Sequence, residues 1–184
     1  MEAFSVRLRT IGILFAVALC SGPMPRSRAD TPPDWAIGVR IGISGPDKGE
    51  RFHQEEIFVL HALPWQWQWP PGWLLSTRLD MAVGALNGAG KTAVIGSFSP
   101  GAVLTRPSSR LSILANIGMV LVSEDDFGDQ AIGSPLQFGL YAGASYHLGR
   151  GVRLSYRYRH LSNAGLFRPN PGLEMHFLGL SYHF

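Results

Sequence analysis

His160, Ser162 and Glu174 are the side-chain types of a serine esterase: an imidazole base, a hydroxyl nucleophile and a carboxylate able to orient the base. They lie in two short stretches, Tyr158-Arg159-His160-Leu161-Ser162-Asn163-Ala164-Gly165 and Asn170-Pro171-Gly172-Leu173-Glu174. In an extended chain alternate residues share a face, so a strand through Tyr158 carries His160 and Ser162 side by side. Ser162 would attack an ester carbonyl, and His160 would take its proton and pass it to the leaving hydroxyl. Glu174 would hold the imidazole tautomer and stabilise the imidazolium, and water would complete deacylation. Asn163, or a backbone N–H of the Asn163-Ala164-Gly165 turn, is the candidate for stabilising the oxyanion, and Asn170 for holding the loop or assisting. This chemistry needs no metal and no cofactor. The other histidines (His53, His61, His147, His176, His183) show no convincing ligand spacing.

The elements that must position these residues are strands. After Asp30 no segment has a convincing helical period, and none has 18 consecutive apolar residues. Period two recurs instead: Trp35, Ile37, Val39, Ile41 and Ile43 oppose Ala36, Gly38, Arg40 and Gly42, and Trp73 to Ala85 alternates in the same way. Further strands are expected at about 52–63, 92–104, 111–122, 136–148, 152–161 and 173–184, separated by Gly-, Pro-, Ser- and Asp-rich segments. The pattern does not assign the register of the second strand. The loops Ser44 to Arg51, Asn87 to Lys91 and Ser123 to Pro135 carry no assignment.

Eight such strands fit an all-β fold, an eight-stranded antiparallel transmembrane β-barrel, with each strand near the length that a tilted membrane crossing requires. A soluble β-sandwich or lipocalin-like barrel also alternates, but turns its apolar face inward. Here the faces opposite the apolar ones carry Arg40, Arg78, Asp80, Arg153, Arg157 and Arg159, which suit the polar interior of a small membrane barrel. The chain ends with Leu178, Leu180, Tyr182 and Phe184 on one face, as a closing barrel strand does. Trp65, Trp67, Trp69 and Trp73, around Pro64, Pro70 and Pro71, are expected to form part of an interfacial aromatic girdle.

At 184 residues the chain is read as one domain behind a leader. Arg7 and Arg9, the apolar run from Ile11 to Leu19 and the small-x-small sequence Ser27-Arg28-Ala29 make residues 1–29 a secretory signal peptide, with the barrel over 30–184. Cleavage there removes four of the 16 basic residues and one of the 13 acidic ones, leaving twelve of each. The excess positive charge therefore belongs to the leader and does not point to nucleic acid. Cys20, the single cysteine, leaves with it, so the mature chain has no thiol chemistry.

With both ends in the periplasm, the last hairpin of an eight-stranded barrel opens outside the cell. Val152, Leu154, Tyr156 and Tyr158 face lipid, and parity takes His160 and Ser162 with them. Counting back from Phe184, Glu174 faces lipid as well. It stands about 25 Å from the periplasmic end for ~3.3 Å per residue and a tilt near 40°, level with the outer leaflet. Polar groups at membrane depth are costly and usually functional.

The combined motif His160-Leu161-Ser162-Asn163-Ala164-Gly165, Asn170-Pro171-Gly172 and Glu174 resembles the signature of outer-membrane lipid A 3-O-deacylases of the PagL type. It covers about fifteen residues, with no departure inside the motif. The resemblance implies base, nucleophile and orienting acid for His160, Ser162 and Glu174, and an oxyanion role near Asn163. It implies lipid A in lipopolysaccharide as substrate, outer-membrane lipid as surroundings and no nucleic-acid partner; a homodimer is compatible with it. Two other readings stand beside it: a passive barrel of adhesion or structural type, in which the three residues only cap the hairpin, and an esterase or phospholipase acting on other outer-leaflet lipids.

Overall fold

A computed structural model describes residues 35–45, 50–106, 108–128 and 130–184, so the expected signal peptide over 1–29 lies outside the described residues. Ten strands follow one another: β1 (Trp35–Ser44), β2 (His53–Trp69), β3 (Trp73–Gly88), β4 (Lys91–Thr105), β5 (Leu111–Val122), β6 (Asp126–Phe127), β7 (Gln130–Ala131), β8 (Leu136–Gly149), β9 (Val152–Ser162) and β10 (Leu173–His183). Eight of them close a barrel in the order β1-β10-β9-β8-β5-β4-β3-β2, every pairing antiparallel, and β6 and β7 make a separate small ribbon. Closure pairs the first strand with the last, Ile37 opposite Tyr182 and Ile43 opposite His176, which leaves no open sheet edge for the bilayer to meet.

The barrel is apolar outside. Ile37, Val39, Ile41 and Ile43 of β1 are each at least half exposed, while Ala36 and Arg40 between them are buried. In β2, whose register the pattern left open, Gln54, Glu56, Phe58 and Leu60 turn inward, and the register shifts between Ala62 and Gln66. Beyond that irregularity β2 runs on to Trp69, longer than expected from the sequence. Trp65, Trp69 and Trp73 stand exposed at this hairpin tip. The tip lies at the barrel end where β1 begins and the chain ends, and where the Phe184 N–H donates to the Trp35 carbonyl.

The interior is divided along its axis. Toward the end away from the termini it is filled by hydrophobic side chains including Phe52, Leu86, Ile95, Val120, Met175 and Phe177. The loop 123–135, unassigned from the sequence, closes this end: Phe127 of the β6–β7 ribbon is fully buried and meets Phe52 edge to face at 5.2 Å. Below the plug the interior is charged. Arg40 holds Asp80 through two hydrogen bonds of 3.1 and 2.9 Å and also pairs with Glu56; Arg157 donates to Asp80 as well. Arg159 extends the network to Gln54 at 2.6 Å. Arg40 lies over the Phe58 ring at 4.5 Å, so its planar face is packed while its edges are hydrogen-bonded. A buried charge network of this kind ties β1, β2, β3 and β9 together across the lumen.

Candidate active site on the lipid-facing wall

The pairing of β9 with β10 places Glu174 directly opposite His160. Both side chains leave the outer face, because their neighbours Arg159, Leu161, Leu173 and Met175 are buried in the lumen. The Glu174 Oε1 lies 2.9 Å from His160 Nδ1. A carboxylate can only accept there, so the contact selects the tautomer with the proton on Nδ1, in which a neutral imidazole has Nε2 as its basic nitrogen. About a third of each side chain remains exposed, which leaves Nε2 approachable from the bilayer side.

Ser162 is the last residue of β9, two positions beyond His160 on the same face and opposite Phe138 of β8. Parity thus brings His160, Ser162 and Glu174 to one patch of the outer wall. Their depth follows from the register: the patch lies at the end of the barrel remote from the termini, just below the rim. Gly172 lines it too. With φ +68° this residue sits in the left-handed region, and a Cβ there would stand 3.1 Å from His160 Cε1, so the glycine lets the loop pass tightly beside the imidazole.

Asn163 and Asn170 organise the loop 163–172. The chain turns inward after Ser162, and Asn163 is fully buried. Its side-chain amide donates to the Pro169 carbonyl at 3.1 Å, its Oδ1 accepts the Gly165 N–H at 2.9 Å, and its own N–H donates to Asn170 Oδ1 at 3.1 Å. Of the three amides in the turn 163–165, only that of Ala164 has no acceptor among the described residues. Ala164, two residues after Ser162, has φ +56°, a conformation that does not continue the strand. The loop also rests on a second loop: at Gly133, with φ +92°, a Cβ would lie 1.9 Å from the Pro169 carbonyl oxygen.

One polar group on this wall was not singled out by the sequence. His176, opposite Tyr158, bonds the Tyr156 hydroxyl through Nδ1 at 2.7 Å, and its ring lies 5.5 Å from that of Tyr158. It sits one outward position below Glu174 on β10. Parity from Phe184 would have found its face, but its partner on β9 depends on register. Among the described residues no three His, Cys, Asp or Glu side chains converge as a metal ion would require.

The barrel is plugged toward one end, and the histidine hydrogen-bonded to a carboxylate lies on its lipid-facing side. The fold is that of a small outer-membrane β-barrel, with a polar patch at membrane depth on its lipid-facing wall. The chain belongs to the lipid A 3-O-deacylase (PagL) family, whose model matches residues 56–183. It is 34% identical over 143 residues to the lipid A deacylase PagL of Bordetella bronchiseptica, covering 72% of this chain and 78% of that protein. With the lipid A deacylase PagL of Pseudomonas aeruginosa it shares 32% identity over 132 residues, 65% of this chain and 75% of the relative. The crystal structure of the outer-membrane enzyme PagL superposes with a TM-score of 0.70 at 26% identity, covering 80% of this chain and 98% of that one. Membership makes this protein an ester hydrolase of the bacterial outer membrane.

Proposed function

We propose that this protein hydrolyses the ester-linked 3-O-acyl chain of lipid A in lipopolysaccharide, with Ser162 as nucleophile, His160 as general base and acid, and Glu174 as the group that orients His160. The observation that carries this reading is the His160–Glu174 pair on the lipid-facing wall, with Ser162 two positions away on the same face. The Glu174 carboxylate holds the Nδ1 proton, so Nε2 accepts the proton that Ser162 loses as its oxygen bonds the acyl carbon. The tetrahedral intermediate collapses as Nε2–H protonates the departing sugar oxygen. A water, deprotonated in turn by Nε2, then releases the fatty acid and regenerates Ser162. The Ala164 N–H is the free donor of the turn for the oxyanion, while Asn163 and Asn170 act by holding that turn. The names of the relatives support the substrate.

The test is mass spectrometry of lipid A from Gram-negative cells expressing the chain, beside cells expressing Ser162→Ala. Loss of one hydroxyacyl mass with the unsubstituted chain alone supports both substrate and nucleophile. Unchanged lipid A from cells whose outer membrane holds the folded barrel would overturn the reading.

A further inference from the structure

Below the hydrophobic plug the barrel holds more positive charge than its described residues balance. Five arginines face the lumen at membrane depth (Arg40, Arg78, Arg153, Arg157, Arg159) against two carboxylates, Glu56 and Asp80, an excess of three. Both carboxylates are already engaged by Arg40, and Asp80 by Arg157 as well. Guanidinium does not give up its proton under these conditions, and water can solvate the excess charge without cancelling it.

The hydrogen-bonding pattern shows where the imbalance is focused. Nε and Nη2 of Arg78 are buried and have no partner among the described residues, and the same is true of Nε of Arg153 and Nε of Arg157. Nε and Nη2 form one edge of the guanidinium, the two-pronged edge that matches two oxygens of a carboxylate, phosphate or sulfate. Arg153 lies opposite Ser181 on β10, and the small hydroxyl side chains of Ser145 and Ser155 also face inward at neighbouring positions. This region lies between the charge network and the barrel end that holds the termini, so an ion would enter from the periplasmic side, the plug barring the other.

We infer that the periplasmic half of the lumen is a binding site for a small tetrahedral oxyanion of the phosphate or sulfate class, seated on the Nε/Nη2 edge of Arg78 and countered further by Arg153 and Arg157. The site is separate from the outer wall and plays no part in the ester chemistry; its ligand offsets most of the excess charge and stiffens the barrel. Chloride offers charge without the two-oxygen match and binds more weakly.

The full-length barrel, folded in zwitterionic detergent and freed of phosphate and sulfate, is to be titrated with sodium phosphate, sodium sulfate and sodium chloride at matched ionic strength. The thermal midpoint is read from heat-modifiable gel mobility, and binding from calorimetry. Phosphate and sulfate are expected to raise the midpoint saturably by several degrees and chloride to raise it little. Arg78→Lys, which keeps the charge but loses the paired edge, is expected to weaken the oxyanion affinity at least tenfold, and Arg78→Leu to abolish the saturable response while heat modifiability persists. An equal response to all three salts would mean screening only, and an unaltered phosphate response in both variants would mean an adventitious ion elsewhere; either result overturns the site.

Discussion

Glu174 and His160 face each other across one rung of the β9–β10 ladder, and their side chains meet on the lipid side at 2.9 Å. A carboxylate placed there does two things to an imidazole. It favours the Nδ1-protonated tautomer, and in the proposed mechanism this leaves Nε2 as the base and offsets the charge that His160 would gain. The ladder itself sets the pair, because residues directly opposite in an antiparallel sheet stand about 5 Å apart at Cβ.

Replacing Glu174 with Gln keeps the size and a hydrogen bond but removes the charge and allows the wrong tautomer. The expected result is a loss of deacylation on the order of 10²- to 10⁴-fold with an unaltered folded barrel. Initial rates on purified lipopolysaccharide in detergent, beside heat-modifiable mobility, would measure it; retention of more than a tenth of the rate would remove Glu174 from the mechanism.

His160 works as base only when neutral. Activity is expected to fall toward acid as the imidazole takes a proton, since a protonated Nε2 cannot accept one from Ser162. Initial rates measured on a folded barrel at successively more acid pH would show the descending limb, and a rate that does not fall would exclude His160 as base.

Asp80 is 2% exposed and carries hydrogen bonds from Arg40 and Arg157. Asp80→Ala strands both guanidinium groups in the lumen without their shared carboxylate. A loss of about 3–5 kcal/mol is expected, the usual cost of removing one member of a buried ion network. Urea unfolding of the barrel in lipid vesicles would read it.

Gly133 touches neither Ser162 nor His160, yet Gly133→Ala is expected to lower activity. Its Cβ would collide with the Pro169 carbonyl, and the residue already has φ +92°. The displaced segment is the one that Asn163 holds through that same carbonyl, so the turn after Ser162 would shift while the barrel stays closed. A reduced rate from a barrel that still shows heat-modifiable mobility is the expected pair of results.

Strand identity and facing were legible from the order of residues alone, because a pleated strand has a strict period of two and a bilayer rewards an unbroken apolar face. Trp35 to Ile43 and the closing run to Phe184 sit as that alternation predicts, and the expected strand positions agree with the observed ones to within a few residues at most ends. The facing of His160, Ser162 and Glu174 followed from the same parity. The second strand resisted because Glu55 and Glu56 are both charged and adjacent, so neither face is marked; only pairing with β1 and β3 settles that Glu56 enters the lumen and meets Arg40.

Everything that joins residues distant in the chain belonged to the tertiary structure. That Glu174 stands opposite His160 rather than one rung away is a matter of register, and register is set by closure of the whole barrel, not by local alternation. The same holds for Tyr156 with His176 and for Gly133 beneath Pro169. Asn163 shows the limit most plainly: its type and place beside Ser162 suggest an oxyanion role, whereas only the folded loop shows that its side chain is buried, donating to the Pro169 carbonyl and accepting the Gly165 N–H. Local period decides which face a side chain leaves from, whereas its hydrogen-bond partner is decided by which other strand or loop the closed barrel brings to that face.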